Sequence, residues 1–221
     1  LTHAGTELLL VRHGESVSSR TGTVGGPAGC GGLTERGREQ VRRLARRLRA
    51  DHARHPVDAL YTSPLPRTRE SARIVSAALG LPAVVEPGLR EADCGTGDGR
   101  PWREVVAAFG GTPVLHPGRP LAPGGESWGA YLARVRAAVD RLVERHAGRR
   151  VLIVGHGETI TAVSQLLLDL PAEVRAHTSF TSGPACLTHW ARRPLPWPPP
   201  GGSPGWTLLC HNDVSHLRGE R

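Results

Sequence analysis

Two stretches, LLLVRHGES at residues 8–16 and VLIVGHGET at residues 151–159, narrow the folds open to this chain more than anything else in it. Each is a short unbroken apolar run that stops at His-Gly-Glu followed by a hydroxyl residue. A run of that kind, without polar alternation, reads as a buried strand. Helical patterns lie between the strands. Alternation of this sort implies an α/β fold, a three-layer α/β/α sandwich around a mostly parallel central sheet. In such a sheet ligands bind beyond the carboxyl ends of the strands. Arg12-His13 and His156 both stand just past a strand end, so two histidines far apart in sequence are expected to face one crevice. The stretches differ before the histidine, Arg12 against Gly155, and the glycine is expected to leave room for His156 to approach.

The other elements follow from periodicity and punctuation. Residues 16–32 are rich in Gly and Ser and read as loop. Thr34 suits the N-cap of a helix whose apolar face is Val41, Leu44, Ala45 and Leu48. The arginines between them, Arg42, Arg43, Arg46, Arg47 and Arg49, have no interleaved aromatics. They read as a solvated face rather than a nucleic-acid patch. Residues 58–61 form an expected strand, and Ser63-Pro64 reads as N-cap and first residue of a helix over 64–79, with Arg67 in its first turn. Further expectations are a short strand at 84–85, an acidic Gly-rich loop at 90–99 and a short helix at 101–109. An amphipathic helix at 127–146 puts Tyr131, Val135, Ala138, Val139 and Leu142 on one face. A helix over 159–168 follows the second apolar run, and 186–190 and 206–210 read as late strands. The stretch ARRPLPWPPPGGSPG between them is too rich in Pro and Gly for regular structure and reads as an extended surface loop. Residues 1–221 are expected to form one domain, with a helical cap region around 99–130 and a Pro-rich loop at 191–205.

Charge bounds the partners. The net charge is +8, and all 28 basic residues are arginine. That balance favours an anionic partner, either a phosphorylated small molecule or a nucleic acid. No apolar run reaches the length of a membrane helix, and residues 1–7 carry no signal-peptide pattern, so a soluble cytoplasmic protein is expected. Cys30, Cys94, Cys186 and Cys210 are scattered, without a CxxC pair or metal-ligand spacing, and read as free thiols.

Histidines at strand ends admit two chemistries. One is a metal site built from His13, His156 and a carboxylate such as Glu91. Arg12 opposes it, because a fixed cation repels a metal ion. The other is phosphoryl transfer. A phosphate dianion suits the planar, bidentate cation that arginine supplies. Arg12 lies beside His13, and Arg67 lies at a helix start, where backbone N–H groups also favour anions. An imidazole among these groups can attack phosphorus, and a carboxylic acid can protonate the leaving oxygen.

LVRHGES at 10–16 resembles the signature of the histidine phosphatase superfamily, the phosphoglycerate mutase-like enzymes. LTERGREQVRRLA resembles that family's first helix, and YTSPLPRTRESA at 61–72 its second-arginine motif. LREADCGTGDGRPW at 89–102 resembles the loop carrying its acidic catalyst, and PGGESW at 123–128 and VGHGETI at 154–160 complete the series in order. The resemblance implies the family's fold and a role for each matching residue. His13 matches the nucleophile that becomes phosphohistidine, and Arg12 and Arg67 match the phosphate clamp. His156 matches the second pocket histidine, which binds the phosphoryl group and its transition state. Glu91 matches the proton donor to the leaving group, which later acts as base toward water; Asp93 and Asp98 stay open as alternatives for that acid. No metal and no cofactor are implied.

The chain departs from the family pattern in places. Ser19 stands where the family often has a phosphate-binding Asn, residues 21–32 are unusually Gly-rich, and Gly97-Asp98-Gly99 replaces a common Trp-Glu-Gly form. No Arg-Arg block of the kind mutases carry appears between residues 99 and 125. The expectation is therefore a histidine acid-type phosphatase: a metal-independent phosphomonoesterase acting on a nucleotide, a sugar phosphate or a ribazole-type phosphate. A phosphoglycerate-type phosphomutase and a non-catalytic phospholigand-binding module are the alternatives. The expected partner is a small phosphate ester, with neither nucleic acid nor membrane; the oligomeric state is open, a dimer among the options.

Overall fold

A computed structural model describes residues 5–195, 197, 202 and 204–218 of the chain. Its main elements, in order, are β1 (Glu7–Arg12), α1 (Val17–Thr21), α2 (Glu35–His52), β2 (Ala59–Thr62), α3 (Pro66–Leu79), β3 (Ala83–Val85), α4 (Trp102–Phe109), α5 (Trp128–Arg145), β4 (Arg150–Gly155), α6 (Gly157–Leu167), β5 (Leu187–Arg193) and β6 (Gly205–Asp213). The strands form one sheet in the order β3-β2-β4-β1-β5-β6. β3, β2, β4 and β1 run parallel, whereas β5 and β6 are each antiparallel to the preceding neighbour. The expected α/β/α sandwich with a mostly parallel sheet is the observed one.

Alternation along β1 builds both layers. Leu8 and Leu10 pack with Tyr131, Val135 and Leu142 of α5 and Ile160 of α6. Leu9 and Val11 pack with Val41, Leu44 and Leu48 of α2 and Val75 of α3. Both faces are covered, which is why the run is apolar throughout. β1 and β4 are direct neighbours, paired from Leu8 with Val151 to Arg12 with Gly155. The His13 N–H donates to the Gly155 carbonyl at 3.0 Å. The two similar stretches therefore leave the sheet side by side.

Several boundaries differ from expectation. Residues 16–32 are not all loop: α1 occupies Val17–Thr21, with the Ser16 hydroxyl accepting from the Ser19 N–H at 3.1 Å. A five-residue helix is too short to show a period. α3 starts at Pro66 rather than at 64, because a proline pushes the residue before it out of the helical region, and Leu65 is extended (φ −70°, ψ 146°). Ser63 is consequently not its N-cap. α6 begins at Gly157, directly after His156, rather than at 159. β5 runs to Arg193 and pairs Arg193 with Gly205, so residues 191–193 are strand rather than loop. Most of the remaining Pro-rich stretch (196, 198–201 and 203) lies outside the described residues, as do residues 1–4. Among the described residues no helix is long and apolar enough to cross a membrane, and all the cysteines are free.

Candidate active site

The carboxyl ends of β1 and β4 present His13 and His156, with ring centroids 5.5 Å apart and planes inclined at 69°. The His13 Nδ1 lies 2.7 Å from the Gly14 carbonyl, which can only accept, so the ring proton sits on Nδ1. Nε2 then carries the lone pair, and it accepts from Arg67 Nε at 3.0 Å. The same guanidinium donates through Nη2 to His156 Nδ1 at 3.0 Å and through Nη1 to the Gly25 carbonyl. With Nδ1 of His156 accepting, its Nε2–H donates to the Ser63 hydroxyl at 2.7 Å. Arg67 thus bridges the two imidazoles, in the place a metal ion shared by them would need. Arg12, on the same strand end as His13, donates through Nη1 to the Ser182 carbonyl, while its buried Nε has no hydrogen-bond partner among the described residues.

Glu91 closes the site from the far side. One carboxylate oxygen lies 3.6 Å from His156 Nδ1 and 3.8 Å from Arg67 Nη2. The other accepts from the Ala92 N–H at 3.2 Å and, at 3.5 Å, from the hydroxyl of the buried Tyr131. That hydroxyl is in turn 3.1 Å from Thr159 Oγ1, which accepts from the His156 N–H at 3.3 Å. A side chain on Gly155 would press against Thr159 at 3.3 Å. The glycine makes room for Thr159, not for His156 itself as the sequence suggests.

Burial, then the charges of Arg67 and Arg12, hold the His13 imidazole well below its ordinary pKa. It stays neutral at neutral pH, with its lone pair on Nε2. Burial and Arg67 lower His156 in the same way. Burial pushes the Glu91 carboxyl up to about 7; Arg67 opposes this and Glu158 adds to it. A carboxyl poised there can release and recover a proton near neutrality. The alternative acids are occupied elsewhere. Asp93 pairs with Arg90 at 2.7 Å and is held below the usual carboxylate range by that contact. Asp98 accepts from the backbone N–H groups of Gly26, Ala28 and Gly29. Arg67 is 4% exposed and sits in the first turn of α3, against the helix dipole. Two cations flanking neutral imidazoles make an environment that a dianion would balance.

Arg12, His13, Arg67 and Glu91 form the floor of a cavity of about 820 Å³, and His156 lies buried beneath Arg67. Ser16, Ser18 and Ser19 line one side, and Trp102, Val106, Val114, Leu121, Trp128 and Phe180 form an apolar wall. On that wall Arg175 pairs with Glu158 at 2.9 Å and stacks 3.8 Å over the Trp128 ring. The Ser19 hydroxyl is directed back to the Ser16 carbonyl at 2.9 Å, which commits its proton to the cap of α1. All five expected site residues, Arg12, His13, Arg67, Glu91 and His156, come together. Sequence reasoning missed Ser63 and Tyr131 as contacts of His156 and Glu91. Ser63 belongs to the motif around Arg67, where its position before Pro64 has the pattern of a helix cap, and Tyr131 has the spacing of a core residue.

The family model for the histidine phosphatase superfamily (branch 1) matches residues 8–194. A Yersinia enterocolitica protein named as a probable phosphoglycerate mutase is 31% identical, over 96% of this chain and 94% of its own length. Among solved structures, a mycobacterial glucosyl-3-phosphoglycerate phosphatase superposes with a TM-score of 0.77 at 26% identity, covering 94% of this chain and 99% of that one. YhfR of Bacillus stearothermophilus superposes with a TM-score of 0.78 at 28% identity, covering 96% and 99%.

Proposed function

The chain belongs to the histidine phosphatase superfamily, branch 1, and from this we propose that it hydrolyses a small phosphate monoester through a phosphohistidine on His13. The observation that carries the proposal is the shared guanidinium of Arg67, 3.0 Å from the unprotonated Nε2 of His13 and 3.0 Å from His156. A phosphoryl group placed between the rings takes over those N–H donors and gains the unpartnered Nε–H of Arg12. Nε2 attacks phosphorus, the P–O bond to the leaving group breaks, and protonated Glu91 gives its proton to the departing oxygen. Water then attacks the phosphohistidine, Glu91 takes its proton, and His13 and inorganic phosphate are regenerated. The arginines face the equatorial oxygens, where charge is carried in the transition state, and His156 joins them when the bound dianion draws a proton onto its Nδ1.

A panel of monoesters assayed for inorganic phosphate, with and without EDTA, tests this reading. Turnover undiminished by EDTA is expected; no release from any ester, or full EDTA sensitivity, would sink it. The panel includes 3-phosphoglycerate, because the Yersinia relative is named as a mutase. A mutase would pass label between two positions of one skeleton and leave little free phosphate.

Glu91 sets the pH dependence. The phosphorylation step needs the carboxyl protonated and His13 neutral. With Glu91 at about 7 and His13 well below its ordinary value, kcat/KM is expected to fall as pH rises through about 7. Glu91→Gln should lower kcat by roughly 10²–10⁴ on alkyl phosphates and remove that descending limb. In kcat/KM, which reports phosphorylation, the loss should be much smaller with p-nitrophenyl phosphate, whose leaving group needs no proton.

The apolar wall receives the leaving group. Val114→Asp should raise KM for phenethyl phosphate roughly 10-fold or more and change glycerol phosphate far less, read in paired Michaelis–Menten fits.

A further inference from the structure

The two segments that depart from the family pattern, the Gly-rich stretch at 21–32 and Gly97-Asp98-Gly99, meet in space. One carboxylate oxygen of Asp98 accepts from Gly26 N–H at 2.7 Å and from Gly29 N–H at 3.0 Å, and the other from Ala28 N–H at 2.7 Å. The segment held this way carries the Gly25 carbonyl, which receives Arg67 Nη1. The other end of that guanidinium spans the two imidazoles. Asp98 itself does not line the cavity. We propose that Asp98 is a positioning residue for phosphoryl transfer: it pins the Gly-rich loop so that the Gly25 carbonyl fixes the Arg67 guanidinium across His13 and His156.

The local packing fits this role. A side chain on Gly26 would lie 2.6 Å from the Asp98 carboxyl carbon, and one on Gly25 would collide with the Ser18 hydroxyl and crowd Arg67. The chain must therefore be bare where it wraps the carboxylate and where it meets the guanidinium. Three charge-assisted bonds from backbone donors stabilise one loop conformation out of the many that a Gly-rich segment samples. The neighbouring strand-like contacts do not need Asp98: Val24 N–H to the Arg100 carbonyl at 2.9 Å, Gly99 N–H to the Val24 carbonyl at 3.0 Å, and Trp102 N–H to the Gly22 carbonyl at 2.8 Å. Removing the carboxylate frees residues 25–29 while the base of the loop stays tied.

The inference rests on the phosphohistidine reading for its effect on rate, but not for its effect on anion binding, so the test measures both. Asp98→Ala, Asp98→Asn and Asp98→Glu are compared with wild type by calorimetric titration with inorganic phosphate and by kcat/KM against pH. Asp98→Ala should weaken phosphate binding at least about 5-fold and lower kcat/KM by roughly 10²-fold, as expected when a reacting geometry loosens. It should also shift the acid limb of the profile upward. The groups facing His13 are Arg12 from its own strand, Arg67 from α3, His156 from the turn into α6, and Glu91; a loosened Arg67 no longer opposes protonation of the imidazole. A purely structural role would leave that limb in place. Asp98→Glu should recover most of the loss. Asp98→Asn should recover part, because an amide N–H₂ now faces the Ala28 N–H. Should Asp98→Ala fail to fold, Gly26→Ala replaces it, with the same losses expected from a methyl group forced against the carboxylate. A folded variant with phosphate affinity, kcat/KM and acid limb all unchanged would overturn the proposal. An inactive wild type would count against the phosphohistidine reading instead, and the calorimetric comparison would still decide the role of Asp98.

Discussion

His13→Ala is expected to abolish turnover, by at least about 10⁴-fold, while inorganic phosphate still binds. The two halves of that result come from different atoms. The lone pair that attacks phosphorus belongs to His13 Nε2, and of the two imidazoles only that of His13 lines the cavity; His156 is wholly buried. His156 points its Nε2–H at Ser63, and its Nδ1 accepts from Arg67. The anion site, by contrast, is centred on the guanidinium groups of Arg12 and Arg67, which the substitution leaves in place. Without the imidazole, Arg67 Nε loses its acceptor and becomes one more free donor for phosphate. Phosphate affinity should therefore stay within a few-fold of wild type, or tighten. Calorimetry and a discontinuous phosphate-release assay on the same preparation measure the two halves separately.

Arg67→Ala is expected to lose both halves together: roughly 10³–10⁵ in kcat/KM, with phosphate binding weakened in parallel. This guanidinium makes three directed bonds at once, to His13, His156 and the Gly25 carbonyl. It also depresses the pKa of both imidazoles. Its removal takes away transition-state charge stabilisation, leaves both rings without their shared donor, and lets them protonate at higher pH. The surviving activity should accordingly show an acid limb displaced upward. Arg67→Lys should recover little of the rate, since an ammonium is a point charge and cannot reproduce a planar fork across two rings. Similar kcat/KM values for Arg67→Lys and wild type would show that only the charge matters.

Much of this site was legible because it rests on strand ends. The apolar runs at 8–11 and 151–154 marked strands covered on both faces, and the rule that ligands lie beyond their carboxyl ends brought His13 and His156 together. The pairing of Arg12 with Gly155 carries the idea through, because adjacent parallel strands in register deliver consecutive residues to the same place. The side-chain bonds that orient the pair were not legible. Ser63-Pro64 has the composition of a helix start, yet Pro66 sets the real start, and the serine hydroxyl serves His156 instead. Tyr131 has the spacing of a core residue and is one; only its hydroxyl reaches Glu91 and Thr159. The Gly-rich stretch looked like a departure with no partner, since nothing in its spacing points to a carboxylate some 70 residues away. Periodicity reports which face of an element is apolar; where a single polar atom turns depends on contacts between segments that no local pattern encodes.

The central claim is that His13 carries the phosphoryl group. Rapid-quench trapping with a ³²P-labelled monoester, followed by peptide mapping, tests it most directly. The expected result is an acid-labile, base-stable phosphoprotein with the label on the peptide containing His13, absent from His13→Ala and accumulating in Glu91→Gln with labelled p-nitrophenyl phosphate, where only the hydrolysis step needs the carboxyl. Label on another residue, or a wild-type enzyme that turns over without any trapped phosphoenzyme while His13→Ala stays active, would contradict it.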